Sequence, residues 1–451
     1  MTTLSDHVDP GVEKLEDPVV LLGSGDQFTD RDRTRMAFVE KELDRVVGGG
    51  PGPYYDSVVI AGAGFTASVM AARLARSEHF HGKVVLAGPR TTESRRVKDG
   101  LTLRGRGVDY ICHALGVPQN AYVAALYGAI IDGRGVGTGN VAAMGTRNPD
   151  GSYRLSRVAP WQGGARGYSR PLFFGARNSR MQGALYELME RSGVIEVPEP
   201  ITCLEEGYAL APGRRPLLVN AGHNQRLFNP SVPRVDWATV AVQAPLRPTA
   251  SGLQNCPSNS ALLAPVRRGN RIDVGLFNPY GDPLSPRSTY YGIIVSDVHP
   301  DRAGFDKQRE LAEISEELIG IAGAMGLEVD DHDETWFQGL VPGSPWTPVV
   351  SRPGTLELQM LAHPGKSATF SDGMTSGATT AVAAAEAILR GADPDAAARR
   401  ITRVIARDRS IWHFLRTRVA VPADALIRVL PEAALGYPHT LHAKSQWATR
   451  A

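Results

Sequence analysis

Residues 56–67 read DSVVIAGAGFTA, and this stretch decides the fold. Val58, Val59 and Ile60 are apolar and β-branched, the composition of a strand buried on both faces. FTASVMAARLARSE follows, rich in alanine with apolar residues at helical spacing. HGKVVLAG, residues 81–88, supplies a second buried strand. Strand, tight turn, helix and strand make a βαβ unit. The turn, Gly62-Ala63-Gly64-Phe65-Thr66-Ala67, has the pattern GxGxxA. Gly62 permits the tight turn, Gly64 lets the backbone approach a pyrophosphate, and Ala67 is small enough for helix and strand to pack closely. The helix N-terminus then aims its N–H groups and its positive dipole end at the phosphates. A strand before the motif and a helix after it are the context that a dinucleotide site requires.

One part of the pattern is missing. The second strand of such a unit ends in an acid that binds the ribose hydroxyls. Here it ends Ala87-Gly88-Pro89-Arg90, with Gly88 at the acidic position. Arg90 or Glu93 is left to reach the adenosine, and an arginine there also suits a 2′-phosphate, as in NADP binding.

Working outward, a chain of 451 residues accommodates two or three structural units. With 42% hydrophobic and 21% charged residues the composition is that of an ordinary globular protein. A net charge of +2 offers no global field for nucleic acid or an anionic membrane. The three cysteines, Cys112, Cys203 and Cys256, form no CxxC pair, which argues against a disulfide framework, a zinc site or a redox dithiol. The opening MTTLSDHVDP is polar and acidic, unlike a signal peptide, and no run of 18 apolar residues occurs. The expectation is a cytoplasmic protein with a small-molecule substrate and no metal; a homodimer is left open.

Five segments are expected. Residues 1–53 form an extension and linker, with a short strand at PVVLL, a helix capped near Thr29 and the Gly/Pro-rich VVGGGPGP. Residues 54–231 make the first part of the dinucleotide-binding domain, and 232–350 a β-rich substrate domain interrupted by the helix KQRELAEISEELIGIAGAMG. Residues 351–410 return to the first domain, and 411–451 form a helical tail.

Four stretches carry a family resemblance: DGLTLRGRGVDYICHALGVP at 99–118, SRMQGALYELMERSGV at 179–194, LLVNAGHNQRLF at 217–228 and ATFSDGMTSGATTAVAAAEAILRG at 368–391. They resemble flavoprotein monooxygenases of the p-hydroxybenzoate hydroxylase type. The first looks like the glycine-plus-apolar segment and helix that follow the FAD strand in that family. The resemblance implies that Gly100 lies near the flavin and that Lys98 stands where the family often has an arginine. In the second, Arg177 or Arg180 corresponds to the family's helix arginine. In the third, Asn220-Ala221-Gly222 occupies the place of the "ADG" signature without its aspartate. In the last, Asp372 matches the acid that binds a ribityl hydroxyl, and Gly377 and Ala378 match small residues at the following helix start.

The resemblance thus implies an α/β fold, a Rossmann-like FAD-binding domain of the glutathione-reductase type interleaved with a β-rich substrate domain. It implies FAD as cofactor, with NADPH or NADH as reductant, and monooxygenase chemistry on a small organic molecule such as a secondary metabolite. No catalytic residue is assigned. Trp237, Phe277, Tyr280, Tyr290, Tyr291 and Trp346 are candidate pocket aromatics, each read more simply as core. His113 and His223 are candidate cofactor neighbours, with a covalent flavin link conceivable at His113. Two rival readings remain. One is a flavin-dependent reductase, dehydrogenase or oxidase; a halogenase shares the fold, but its WxWxIP signature is absent. The other is a non-catalytic dinucleotide-binding protein, for which the missing ribose acid is the best argument.

Overall fold

Strand β1 (Ser57–Ala61) is buried at every position and lies at the centre of a parallel sheet. The computed structural model describes residues 28–48, 52–90, 100–118, 121–122, 139–161, 173–222, 224, 226–232, 237–249, 260–268, 271–279, 290–301, 303–330, 337–343, 349–358 and 373–403. The short strand expected at PVVLL, Lys98, His223, Asp372, Tyr280, Trp346 and the tail from 411 lie outside these residues.

An N-terminal helix, α1 (Asp30–Val47), precedes the sheet. Thr29 caps it in a reciprocal box: Asp32 N–H donates to Thr29 Oγ1 and Thr29 N–H donates to Asp32 Oδ2. Val39, Leu43 and Val46 recur at helical spacing and are buried in the main core. After β1 come α2 (Phe65–Ala75) and β2 (Lys83–Ala87), the βαβ unit read from the sequence. A small ladder pairs β3 (Gly100–Arg104) with a later strand, and α3 (Gly105–Leu115) follows directly, ending at Gly116 with φ +64°. Gly116 makes that left-handed stop without a Cβ penalty.

Two strands, β4 (Gly139–Arg147) and β5 (Tyr153–Trp161), leave for a second sheet. Then β6 (Phe173–Arg177) pairs antiparallel with β3, and α4 (Asn178–Arg191) and β7 (Ile195–Val197) return to the first sheet. Helix α5 (Leu204–Ala209) and β8 (Pro216–Asn220) complete its near half. The order is β15-β8-β1-β2-β7, all parallel, with β15 (Thr355–Glu357) the last to join. The chain moves outward from β1 to β2 and β7, then crosses to β8 on the other side of β1. That reversal puts a topological switch point between β1 and β8, where such sheets open a crevice at their C-terminal ends.

The second sheet runs β9 (Ala238–Pro248), β10 (Ser260–Arg268), β11 (Arg271–Pro279) and β12 (Tyr290–Val298) in sequence. It also holds β13 (Leu327–Val329) and β14 (Phe337–Pro342), for eight strands among the described residues with β4 and β5. Pairing is antiparallel except between β10 and β4. Helix α6 (Lys307–Ala324), capped by Asp306, lies on one face. Leu311, Ile314, Leu318 and Ile321 pack there against Val240, Val242 and Ile294. Phe277 is fully buried in that same cluster, so it is core rather than pocket lining.

Helix α7 (Gly373–Leu389) is buried around its whole circumference from Thr375 to Ile388. Its run of Ala, Gly, Ser and Thr lets neighbours approach closely, and α2, α3 and α1 pack against it. Residues 394–403 are helical and add Ala397 and Ile401 to the core. Among the described residues, no helix is long and apolar enough to cross a membrane.

Candidate dinucleotide-binding site

The Gly-rich turn leaves β1 at the switch point, tied to both neighbouring strands by backbone hydrogen bonds. Gly62 N–H donates to Ala87 O at 2.7 Å, tying the turn to the end of β2. Ala221 N–H donates to Ala61 O at 3.0 Å, tying it to the end of β8. Gly62 has φ +103°, and a Cβ there would stand 2.9 Å from Gly222 Cα. So Gly62 and the Ala221-Gly222 pair, both read from the sequence, meet at one point, with no room for a side chain.

Gly64 is different. It has ordinary backbone angles, φ −78° and ψ 178°, and a Cβ would meet nothing within 4 Å. Among the described residues the space above it is open, and a side chain would fill it. Gly64 is also the N-cap of α2, and no side chain caps the helix, nor does an acid sit in its first turn. The first-turn N–H groups of Phe65, Thr66 and Ala67 therefore face that space with the positive helix end. These features fit the pyrophosphate of a dinucleotide.

Helix α7 meets α2 here. A Cβ on Gly377 would collide with Thr66 Oγ1, so the absence of a side chain sets the approach of the two helices. Ala378 beside it is fully buried. The structure places both residues inside α7, which begins at Gly373, rather than at the helix start that the resemblance implied. The contact of Gly377 with Thr66 is helix packing against the turn.

At the adenosine side, Gly88 has φ +137°, and a Cβ would lie 3.4 Å from Gly62 Cα. An acid at this position would be strained, which explains its absence. Arg90 is engaged by two carboxylates. Its Nε and Nη2 donate to Glu196 Oε2 and Oε1, each at 2.7 Å, in a bidentate fork. Nη2 also reaches Glu190 Oε1 on α4. The guanidinium carbon lies 5.0 Å from the centre of the Tyr186 ring. The hydrogen bond to Glu196 is the largest of the influences that raise the Arg90 pKa above its ordinary value. Tyr186, buried at 2% exposure, donates its hydroxyl to Ala63 O in the turn. One chain of contacts therefore runs from the turn through Tyr186 and Arg90 to Glu196.

On the opposite side, Asn220 ends β8, fully buried. Its Nδ2 donates to Glu357 Oε2 at 2.8 Å and to Asn224 O at 2.9 Å, and its Oδ1 accepts from Gly222 N–H at 3.3 Å. Asn220 thus braces the Ala221-Gly222 bend and holds the buried Glu357 at the end of β15. Gly100 and Arg177, read from two separate motifs, are register partners in the β3–β6 ladder. His113 lies elsewhere, on α3 facing Glu40 of α1 and Glu386 of α7 at 3.2 and 4.0 Å.

Sequence reasoning missed Tyr186, Glu196 and Glu357. Tyr186 stood inside a helix scanned for its arginines. Glu196 sits in the three-residue strand Ile195–Val197, too short to show a period. Only the pairing of β7 with β2 brings it to Arg90.

No protein-family model and no curated protein matches the sequence. Solved structures do share the fold. One is a tetrameric 2-methyl-3-hydroxypyridine-5-carboxylic acid oxygenase, 15% identical, covering 85% of this chain and 96% of that one at a TM-score of 0.50. Another is FqzB, 13% identical, covering 89% and 96% at 0.52. A third is a flavin-dependent halogenase from Xanthomonas campestris, 14% identical, covering 80% and 78% at 0.53. The fold is thus that of the flavin-dependent monooxygenases and halogenases, as the motifs implied.

Proposed function

We propose that this chain binds FAD across the Gly62–Ala67 turn and is a flavin-dependent oxidoreductase, a monooxygenase that takes electrons from NADH or NADPH and acts on a small organic substrate. The observation that carries the reading is the close backbone approach of Gly62 to both Gly222 and Gly88, together with the open space at Gly64 among the described residues. The likeness in fold to flavin-dependent oxygenases adds to it. Bound flavin would supply two-electron transfer and the reaction with oxygen.

The protein's part is to hold and shield. The Gly64 backbone and the α2 N-terminus would receive the pyrophosphate, and Asn220 with Glu357 would keep the β8 bend pressed on Gly62. Buried clusters lie on both faces of the sheet, and a flavin seated at the switch point would need such surroundings to keep water from the reacting ring. Asp372, Lys98 and Gly100 are proposed at the flavin end by resemblance.

The test is a visible spectrum of the purified protein, followed by denaturation and identification of what is released. A flavin spectrum with FAD released supports the reading. NADPH or NADH oxidation in air that yields oxygenated product supports the monooxygenase; substrate oxidation without oxygen incorporation points to a dehydrogenase or oxidase. A colourless protein that also fails to bind added FAD overturns the proposal.

A further inference from the structure

We infer that the adenosine end of this site is read by Glu196 of β7, held by Arg90, and that the pair selects a ribose with a free 2′-hydroxyl over one with a 2′-phosphate. The inference rests on the dinucleotide reading of the turn and deepens it. Three observations converge. The ordinary place for a ribose acid is closed, since Gly88 has φ +137° and its Cβ position lies 3.4 Å from Gly62 Cα. Among the described residues Glu196 brings a carboxylate to the strand beside this place, because β7 pairs with β2 and Gly88 N–H donates to Val197 O at 2.8 Å. Arg90, the residue that would otherwise favour a 2′-phosphate, is forked onto Glu196 and also meets Glu190.

Charge decides the selectivity. Among the described residues one guanidinium faces two carboxylates, so a phosphate brought to the cluster meets two negative charges and an arginine whose Nε and Nη2 are already engaged. A neutral hydroxyl meets an acceptor that is already oriented. The side chains of Arg90 and Glu196 are 29% and 23% exposed, so solvent and ligand reach them while the fork fixes their geometry. The Tyr186 ring lies against the guanidinium and favours this placement of Arg90, and the Tyr186 hydroxyl links that platform to the turn through Ala63 O. Arg90 is on this view a positioning residue, and Glu196 the residue that contacts the ligand.

The experiment titrates the protein, stripped of any nucleotide, with FAD, with ADP-ribose and with 2′-phospho-ADP-ribose by calorimetry. Wild type is expected to bind FAD and ADP-ribose and to bind the 2′-phosphate form much more weakly. Glu196→Gln loses a hydrogen bond to a charged group, and its affinity for ADP-ribose should fall by about tenfold or more. The double variant Glu190→Gln with Glu196→Gln releases Arg90 and should shift preference toward 2′-phospho-ADP-ribose, a reversal that mere loss of structure does not produce. Arg90→Lys keeps one charge but not the fork, and should weaken ADP-ribose binding with no gain for the 2′-phosphate form. Normal FAD binding with unchanged ADP-ribose affinity in Glu196→Gln overturns the inference and leaves the functional reading intact. No binding of FAD or ADP-ribose to wild type overturns both. Melting temperatures close to wild type in all variants establish that each is folded.

Discussion

Gly62 and Gly64 stand two residues apart and answer to different demands. Gly62 carries a positive φ and touches Gly222, so Gly62→Ala adds backbone strain of about 1–3 kcal/mol and a steric clash. Gly64 has ordinary angles and open space above it, so Gly64→Ala should leave folding stability within about 0.5 kcal/mol of wild type. The same methyl group fills the place where a pyrophosphate would approach. FAD affinity should then fall roughly tenfold or more, equivalent to about 1.4 kcal/mol. Thermal melts and FAD titrations of the two variants separate these effects: Gly62→Ala melts lower, while Gly64→Ala melts normally and binds poorly. If Gly64→Ala binds FAD like wild type, the turn is not the phosphate site. The spacing of these glycines was legible because the motif is local. Arg90 was legible as a residue but its partners were not, because Glu190 and Glu196 lie about a hundred residues away in the chain.

Helix α1 shows how packing assigns an element a purpose that its own sequence leaves open. Its N-cap was readable, yet nothing in it said whether the helix covers, dimerises or supports. In the fold it joins α7 through Arg390, which bonds Glu40 and Asp44 of α1, each at 2.6 Å. Arg73 of α2 bonds Glu386 at 2.6 Å, and His113 of α3 fills the space between Glu386 and Glu40. Burial pushes the His113 pKa below its ordinary 6.5 and outweighs the opposing pull of Glu386 and Glu40, while Arg73 and Arg390 push it further down. The unfolded chain therefore takes up the proton first. The stability that neutral His113 contributes is whole above pH 6.5 and declines as pH falls below that value toward the lowered folded pKa. His113→Gln removes this proton uptake, so between pH 7.5 and 5.5 its melting temperature should fall less steeply than that of wild type. Parallel curves for the two proteins would show that His113 is not the titrating group.

At the scale of the whole molecule, legibility followed sequence distance. The βαβ unit, the capped helices and the Ala-rich α7 have their signals within a dozen or so residues, and all were readable. The second sheet was readable as strand-rich text, but β4 was not. Its GNVAAMGTR is small and weakly patterned, and it becomes a strand by pairing in parallel with β10, Ser260 opposite Gly139. Such a strand is defined by its partner. The site has the same non-local character: Gly62 and Gly222 touch across 160 positions of chain, and Gly377 reaches Thr66 across more than 300. A ligand at this junction would bind only when all these segments are assembled, and so should stabilise the folded state by mass action. FAD at 100 times its Kd contributes about 2.7 kcal/mol. Scaling the unfolding entropy with chain length turns this into a rise of a few degrees in melting temperature. FMN has the flavin but lacks the adenosine and the second phosphate, so it forgoes the turn and the Glu196 edge and should raise the melting temperature far less at equal concentration. An equal rise with FMN would mean that the flavin half alone is held and that the Gly-rich turn has no part in binding. A rise with ADP-ribose but none with either flavin would place the dinucleotide at the turn and remove the case for flavin chemistry.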